Sequence, residues 1–188
     1  VEKWEELCSK CDFVFHLAGV NRPLDNSEFM KVNCGAAKFL LDTLKKVGNT
    51  CPVMFASSTQ ATLQGRFEGS EYGKSKLSGE ELFFDYERET GAKAYVYRFP
   101  NVFGKWCKPN YNSVVATFCN AVANDLEYTV NDPATELDLV YIDDLIEEMF
   151  DAMEGREHRT EDGYCHVPTV HHVTLGEIVD LLESFSRM

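Results

Sequence analysis

Residues 52–99 read PVMFASSTQATLQGRFEGSEYGKSKLSGEELFFDYERETGAKAYVYRF, in which two short apolar runs flank one long amphipathic segment. The runs at 52–57 and 94–99 have the near-continuous apolar composition of strands that are covered on both faces. The segment between them has helical spacing over 72–89. A strand, a helix and a second strand in this order predict a right-handed crossover within a parallel sheet.

The same alternation continues on both sides of this unit. Ser70 is a candidate N-cap for the helix over 72–89, and Gly91 follows its end. The further predicted elements are a strand at 13–19 (FVFHLAG), a helix at 26–47 that ends at Gly48, a helix at 112–125, a strand at 137–142 and a helix at 143–154. A last helix begins with the capping-box spacing of Thr174 and Glu177. Its apolar face contains Ile178, Leu181, Leu182 and Phe185. The adjacent pair His171 and His172 is expected in a loop or on the surface. The pattern predicts an α/β chain with a parallel sheet.

The charge balance limits the classes of partner. A formal net charge of −13 argues against binding to nucleic acid or to an anionic membrane, both of which need a basic surface. No apolar run reaches the roughly 18 residues of a membrane span, and the first ten residues are charged rather than signal-like, so we expect a cytoplasmic protein with a small soluble substrate.

The cysteines favour a reducing compartment. There are seven, an odd number, and most lie in apolar periodic segments, which is typical of free thiols. Cys8-x-x-Cys11 has the spacing of half a zinc or redox site, but no second pair follows at metal-ligand spacing, so we expect no metal.

One common signature is absent from the sequence. Dinucleotide-binding folds open with a strand, a tight glycine-rich turn and a helix whose N-terminus holds the pyrophosphate. No two of the 12 glycines stand in a G-x-G arrangement, and the first strand-like run begins at Phe13. Either the chain does not bind a dinucleotide, or the first strand–helix–strand portion of its fold is missing from it.

Tyr72 and Lys76 stand four positions apart in YGKSK, so both lie on one face of the predicted helix. A free phenol has a pKa of about 10, and a neighbouring cation lowers it. We therefore predict that Lys76 lowers the pKa of Tyr72 and makes it a usable proton donor. Alone the spacing is a weak signal, since a surface tyrosine on a charged helix has the same pattern.

Three predicted strands end in small or polar residues. These ends are LAG at 17–19, Ser57-Ser58, and the segment 98–104, RFPNVFG. Parallel α/β sheets bind their ligands at the carboxyl ends of the strands, so we expect the three ends to meet near the helix of Tyr72.

The order of these motifs resembles the extended short-chain dehydrogenase/reductase family over nearly the whole chain. It runs HLAG, Asn33, SS, YGKSK, RFPNVFG and LVYIDDL. Within that family, the segments NRP (21–23), SSTQAT (57–62), YGKSKLSGEELFFDY (72–86) and FGKWCKPNYNSVVATFC (103–119) are most similar to reductases of capsular-polysaccharide synthesis.

The resemblance implies a Rossmann-like, doubly wound parallel sheet followed by a small C-terminal substrate-binding portion. We expect one domain over 1–188, with the Rossmann part at about 1–103 and the substrate-binding part at about 104–188. Family members begin with the glycine-rich turn, and the capsular reductases continue into a metal-containing cupin domain. The chain is therefore expected to be an incomplete part of such an enzyme and to bind NADPH poorly by itself.

The resemblance also implies roles for individual residues. Ser58 would bind the substrate carbonyl, Tyr72 would protonate it, and Lys76 would hold the nicotinamide ribose. Thr59 is a weaker alternative to Ser58, and Asn33 would have a supporting polar role. The cofactor would be lined by Leu17, Ala18, Gly19, Tyr72, Lys76, Pro100, Asn101 and Val102, and the substrate would be contacted by Arg22, Ser58, Asn101, Lys105, Lys108, Asn110 and Asn112.

Some of these assignments have a structural alternative. The cations and amides of the 105–112 segment precede a predicted helix start, which suits a pyrophosphate, but a solvated loop has the same composition. Arg22 could equally form a structural salt bridge. Asp143-Asp144 is interpreted as a helix start rather than a catalytic pair.

The function implied is NADPH-dependent reduction of a 4-keto UDP-linked deoxy-amino sugar in the UDP-N-acetyl-L-fucosamine pathway, by a homodimer, with NADH as the other possible cofactor. A C4 epimerase of the same fold would use the same three residues. A 4,6-dehydratase is disfavoured, since those enzymes have Asp-Glu after the hydroxyl residue where this chain has Thr59-Gln60. A non-catalytic nucleotide-binding scaffold is the alternative of another class.

Overall fold

A computed structural model describes residues 2–187 as two compact units. One unit contains the chain up to Phe99 and then Asp151–His166, and the other contains Pro100–Phe150 and the chain from Val167 onward. The sequence analysis did not predict that Asp151–His166 returns to the first unit. A backbone hydrogen bond from Cys165 to the Val96 carbonyl, 2.8 Å long, is one of the contacts that hold this segment there.

The sheet of the first unit has three parallel strands in the order β1-β2-β3. The strands are β1 (Val14–His16), β2 (Val53–Ser58) and β3 (Ala94–Phe99). All three were predicted from their apolar runs, and the α/β class with a parallel sheet is confirmed. Parallel strands in one sheet bring their carboxyl ends to one edge, where His16, Ser58 and Phe99 are the last strand residues.

Three helices pack on one face of this sheet. They are α1 (Glu2–Lys10), α2 (Gly35–Val47) and α3 (Glu71–Thr90). The core on this face contains Cys8 from α1, Leu44 from α2 and Phe83 from α3, packed against Val53 and Phe55 of β2.

The helix ends follow their predicted capping signals. The Ser70 side chain accepts a hydrogen bond from the Gly73 amide, and Gly48 and Gly91 end α2 and α3 with left-handed backbone angles. The predicted helix over 26–47 differs from the observed one at its start. A π-helical turn, Phe29–Cys34, precedes α2 and contains the buried Asn33.

The second unit has a mixed three-stranded sheet in the order β4-β5-β6. Its strands are β4 (Asn101–Phe103), β5 (Glu136–Tyr141) and β6 (His171–Thr174), and its sequence also includes the helices α4 (Val114–Ala123), α5 (Ile142–Met153, which ends in the first unit) and α6 (Leu175–Ser186). The first two strands are parallel, and β6 is antiparallel to β5. His171 and His172 pair with β5 and are exposed, so the predicted loop or surface position is confirmed as a surface position on a strand.

The capping box of α6 is confirmed, since Thr174 and Glu177 each bond the backbone of the other. Its predicted apolar face is only half covered. Ile178 is buried, whereas Leu181 and Phe185 are 56% and 57% exposed and line an apolar cleft of about 790 Å³ within this unit. No helix within residues 2–187 is long and apolar enough to cross a membrane.

Candidate active site

The first turn of α3 lies directly against the turn that follows β2. The Ser70 hydroxyl donates to Gln60 Oε1 at 3.0 Å, and a Cβ added to Gly73 would lie 2.3 Å from the Gln60 carbonyl oxygen. Only a glycine allows this approach. The turn at Thr59–Thr62 and the start of α3 are therefore locked together, with Ser58 on one side and Tyr72 on the other.

Lys76 lies one helical turn beyond Tyr72 and is 4% exposed. Its Nζ donates to the Ala56 carbonyl oxygen at 2.8 Å and lies 5.1 Å from the centre of the Phe55 ring. Burial lowers the pKa of Lys76 from 10.5 to about 8. At neutral pH the residue is therefore a buried cation held at the carboxyl end of β2.

The loop after β1 is fixed beside this cation by Asn33. The Val20 amide donates to Asn33 Oδ1 at 2.7 Å, and Asn33 Nδ2 donates to Ser75 Oγ at 3.0 Å. A Cβ added to Gly19 would lie 3.3 Å from Asn33 Oδ1 and 3.4 Å from Lys76 Nζ, which is tighter than most real Cβ contacts. The predicted residues Gly19, Asn33 and Lys76 are thus neighbours, and the exposed backbone of 17–19 runs past the ammonium group.

Tyr72 is half-buried, with its ring edge-on to Phe29 at 5.7 Å and Lys76 Nζ 5.7 Å from the ring centre. The predicted direction of its pKa is wrong. Burial raises the pKa of Tyr72 above its ordinary value of 10.0 instead of Lys76 lowering it. The physical reason is that the ammonium lies over the ring and donates to Ala56, while desolvation penalises the phenolate.

The two serines at the end of β2 have different partners. The Ser57 hydroxyl donates to the buried carboxylate of Glu80, so it points toward α3. Ser58 Oγ is half-buried and accepts a hydrogen bond from the Gln60 amide at 3.2 Å. Thr59, the weaker candidate, is the first residue of the turn at Thr59–Thr62. Since adjacent strand residues point apart, Ser58 is directed away from the side chain of Ser57.

The other predicted residues lie elsewhere. Arg22 is exposed in the loop after β1. The second unit contains Pro100 before β4, Asn101 and Val102 in β4, and the 105–112 segment before α4. There Lys105 is paired with Asp143 at 2.8 Å, while Lys108 Nζ lies 5.7 Å from the centre of the Tyr111 ring.

Three further predictions fall on these segments. Asp143 and Asp144 are in the first turn of α5, as expected of a helix start. The 105–112 segment does precede a helix, and Ser113 is the N-cap of that helix. The backbone N–H of Asn110 donates to Thr117 Oγ1 at 3.0 Å, and Asn112 is exposed.

The sequence profile of the NAD dependent epimerase/dehydratase family matches residues 2–164. The chain belongs to this family. The family resemblance inferred from the motifs is therefore confirmed, and Ser58, Tyr72 and Lys76 fall inside the matched region.

Individual members of the epimerase/dehydratase family are also similar to the chain. The UDP-2-acetamido-2,6-beta-L-arabino-hexul-4-ose reductase of Pseudomonas aeruginosa is 37% identical over 180 residues, which are 96% of this chain and 46% of that protein. The crystal structure of the capsular polysaccharide assembling protein CapF from Staphylococcus aureus has a TM-score of 0.84 at 46% identity, over 99% of this chain and 49% of that one. The chain thus spans about half the length of these relatives.

A more distant structure extends the fold comparison. The UDP-glucose 4-epimerase of Thermotoga maritima has a TM-score of 0.83 and 24% identity, and covers 99% of this chain and 65% of that one. At this identity the likeness shows the fold alone.

All seven cysteines lie in the described residues and are free thiols. Cys11 Sγ lies 3.7 Å from Cys51 Sγ, and both are free thiols. No group of three or more potential metal-ligating His, Cys, Asp or Glu side chains is present among residues 2–187.

Sequence reasoning missed two buried polar groups of the site region. Glu80 is bound by Ser57, Arg98 and Tyr164. His16, the last residue of β1, is 7% exposed, and its Nε2 has no hydrogen-bond partner within the described residues. A charged residue at the eighth position after Tyr72, on the same helical face, was the available signal for Glu80.

His16 makes the stability of the protein depend on pH. Burial, with the nearby Lys76 cation, lowers its pKa from 6.5 to about 4. As the pH falls below 6.5, His16 binds a proton in the unfolded chain but not in the folded chain. The free energy of unfolding therefore has its full value above pH 6.5 and decreases toward pH 4. The shift corresponds to about 3 kcal/mol.

Urea unfolding between pH 7 and pH 4 measures this dependence. We expect the His16→Gln variant to lose less stability over that interval than the wild type, while His172→Gln, which changes an exposed histidine, should lose as much as the wild type. Parallel stability curves for the wild type and His16→Gln would contradict the assignment.

Proposed function

We propose that the chain carries the catalytic residues of a nicotinamide-dependent reductase that converts the 4-ketone of a UDP-linked 2-acetamido-2,6-dideoxy sugar to an alcohol, with NADPH as the preferred reductant. The observation that carries the proposal is the placement of the buried Lys76 ammonium between Gly19, Asn33 and the ring of Tyr72. The similarity to the Pseudomonas aeruginosa reductase supports the choice of substrate.

The residues around Lys76 fit a nicotinamide ribose. Of its three N–H donors, one is used by Ala56, and within residues 2–187 no other acceptor is hydrogen-bonded to it. The remaining donors suit vicinal hydroxyl groups. The exposed backbone of 17–19 offers a surface without bulky obstruction at Gly19, where a Cβ would crowd the approach to Lys76. When bound, the cofactor supplies the hydride that becomes the new C–H bond of the sugar.

Tyr72 is the proton donor in this proposal. Its pKa is raised by burial, so the phenol is protonated at neutral pH, which is the state that a general acid needs. The proton passes from the phenol oxygen to the former carbonyl oxygen as the ketone is reduced. The phenolate that remains recovers its proton from solvent. Ser58 donates a hydrogen bond to the ketone oxygen and orients it.

The substrate contacts of the second unit and of the loop after β1 remain part of the proposal. They are Arg22, Asn101, Lys105, Lys108, Asn110 and Asn112. In the 105–112 segment the diphosphate would compete with Asp143 for Lys105, because these two side chains already form an ion pair. Pro100, Asn101 and Val102 are proposed to border the nicotinamide.

The test is a turnover assay with the full-length protein, a UDP-linked 4-keto sugar and NADPH. We expect one equivalent of NADPH to be oxidised for each equivalent of sugar alcohol formed. A sugar product formed without net oxidation of NADPH would favour an epimerase. No conversion, with the nucleotide sugar still bound, would favour a non-catalytic scaffold and overturn the proposal.

A further inference from the structure

A charged side chain continues the line of Tyr72 and Lys76 along α3. Glu80 lies two helical turns beyond Tyr72 and one beyond Lys76, so the three residues form a single stripe on the helix face. Glu80 is 1% exposed, and a carboxylate is rarely buried to this extent unless it is paired. The chemical steps proposed above assign no role to this charge.

The Glu80 carboxylate is bonded from three directions. Arg98 at the end of β3 donates to both of its oxygens, at 2.9 and 2.7 Å, in the two-pronged geometry that guanidinium and carboxylate groups favour. The Ser57 hydroxyl at the end of β2 donates to Oε1 at 2.5 Å, and the Tyr164 hydroxyl donates to Oε2 at 3.0 Å.

A second set of contacts closes the cluster. Arg98 Nη2 also donates to the Tyr164 hydroxyl at 2.7 Å, and its guanidinium lies 3.8 Å from the centre of the Tyr164 ring. The cluster of Ser57, Glu80, Arg98 and Tyr164, here called the Glu80 clamp, thus ties α3 to two strand ends and to the returning segment Asp151–His166. The hydrogen bonds of the clamp are directional, so the clamp fixes the rotation of α3 about its axis as well as its distance from the sheet.

The clamp acts on the site through two residues that are close to it in the sequence, Ser58 and Lys76. Ser57 precedes Ser58, so the bond from Ser57 to Glu80 determines which way the Ser58 side chain points. Lys76 is one turn before Glu80, so the rotation that the clamp sets also sets the position of Lys76 Nζ against Ala56.

We propose that Glu80 is a positioning residue for the reaction, which holds Ser58 on β2 and the Tyr72 and Lys76 stripe of α3 in register with each other. This inference rests on the proposed reductase function and extends it to a residue that touches neither substrate nor cofactor.

The charge of Glu80 has a second consequence for Lys76. The groups that act on this ammonium are His16 from β1, Cys34 next to α2, and Tyr72 and Glu80 from α3. Desolvation lowers the pKa of Lys76, and the negative charge of Glu80 partly opposes that effect. A neutral residue at position 80 should therefore lower the pKa of Lys76 further, so that the ammonium is lost at a lower pH.

The experiment compares Glu80→Gln with Glu87→Gln in the full-length protein. Glu87 lies on the same helix and accepts a hydrogen bond from the Ala94 amide at 3.0 Å, at the other end of β3. Glu87→Gln is therefore a matched control for the loss of a hydrogen bond between α3 and β3. For Glu80→Gln we expect kcat per folded molecule to fall roughly 10- to 100-fold with KM little changed, as for a small displacement of catalytic groups. The alkaline fall of kcat should move to lower pH. Glu87→Gln should retain the wild-type kcat and pH profile.

A spectroscopic titration tests the same inference without turnover. The ¹³Cε signal of Lys76 should report a lower pKa in Glu80→Gln than in the wild type. If Glu80→Gln does not fold, Ser57→Ala and Arg98→Lys, which each remove part of the clamp, replace it and should give smaller losses of kcat in the same direction.

The possible failures are distinct. A wild-type protein without reductase turnover would refute the proposed function, whatever the variants do. An active wild type whose Glu80→Gln variant has the kcat of Glu87→Gln and an unchanged Lys76 titration would show that the clamp is only structural.

Discussion

Tyr72→Phe is expected to lower kcat about 1000-fold, within the range that general acid catalysis contributes. The substitution removes the proton donor and keeps the ring, so the edge-on contact with Phe29 is preserved. The Tyr72 side chain is only half-buried, so the loss of its hydroxyl should change the unfolding free energy little. Steady-state kinetics on the full-length protein, together with a fluorescence titration of cofactor affinity, measure the effect.

Tyr86→Phe is the matched control for this prediction. Tyr86 lies on the same helix, and its buried hydroxyl donates to the Asn49 carbonyl oxygen at 3.1 Å. Removing that hydroxyl should cost about 1 kcal/mol of stability and leave kcat unchanged. If Tyr72→Phe keeps more than a tenth of the wild-type kcat, the phenol is not the proton donor.

Lys76→Met should have the second large effect, a loss of kcat on the order of 10²- to 10³-fold with weaker cofactor binding. The methionine removes the cation that is proposed to hold the nicotinamide ribose but fills the space beside the Phe55 ring. Because the pKa of Lys76 is lowered to about 8, the buried charge destabilises the fold at neutral pH. The variant should therefore lose activity without a matching loss of thermal stability.

The pH profile of the wild type provides an independent measurement of the same group. The ammonium is present below pH 8 and is lost as the pH rises through about 8, so kcat should fall on the alkaline side near that value. The control is Lys74→Met, which changes an exposed lysine paired with Glu71 on the same helix and should keep both kcat and the pH profile. An equal loss in Lys74→Met and Lys76→Met would contradict the role of Lys76.

The first unit was predictable because local signals and tertiary contacts agree there. The runs at 52–57 and 94–99 are apolar enough to be buried strands, and Ser70 and Gly91 define the helix between them. Prediction failed where long-range contacts decide the structure. The segment Asp151–His166 has no apolar periodicity that links it to β3, and its place follows from the Cys165 amide and the Tyr164 hydroxyl.

The candidate site was predictable in its positions but not in its electrostatics. Tyr72 and Lys76 are four residues apart, and this spacing puts two residues on the same face of any α-helix. The sign of the Tyr72 pKa shift depends on how deeply the fold buries the phenol, and the sequence does not reveal the extent of that burial. The Glu80 clamp was missed for a similar reason, because Ser57 and Arg98 belong to different strands and meet Glu80 only in three dimensions.

Transfer of deuterium from the cofactor to the sugar tests the central claim most directly. The full-length protein is incubated with a UDP-linked 4-keto sugar and NADPH that carries deuterium at both C4 positions of the nicotinamide, and the product is analysed by mass spectrometry. A reductase of the kind proposed gives a sugar alcohol with a single deuterium, bonded to the former carbonyl carbon, and Tyr72→Phe gives almost none. A converted sugar that contains no deuterium would contradict the account.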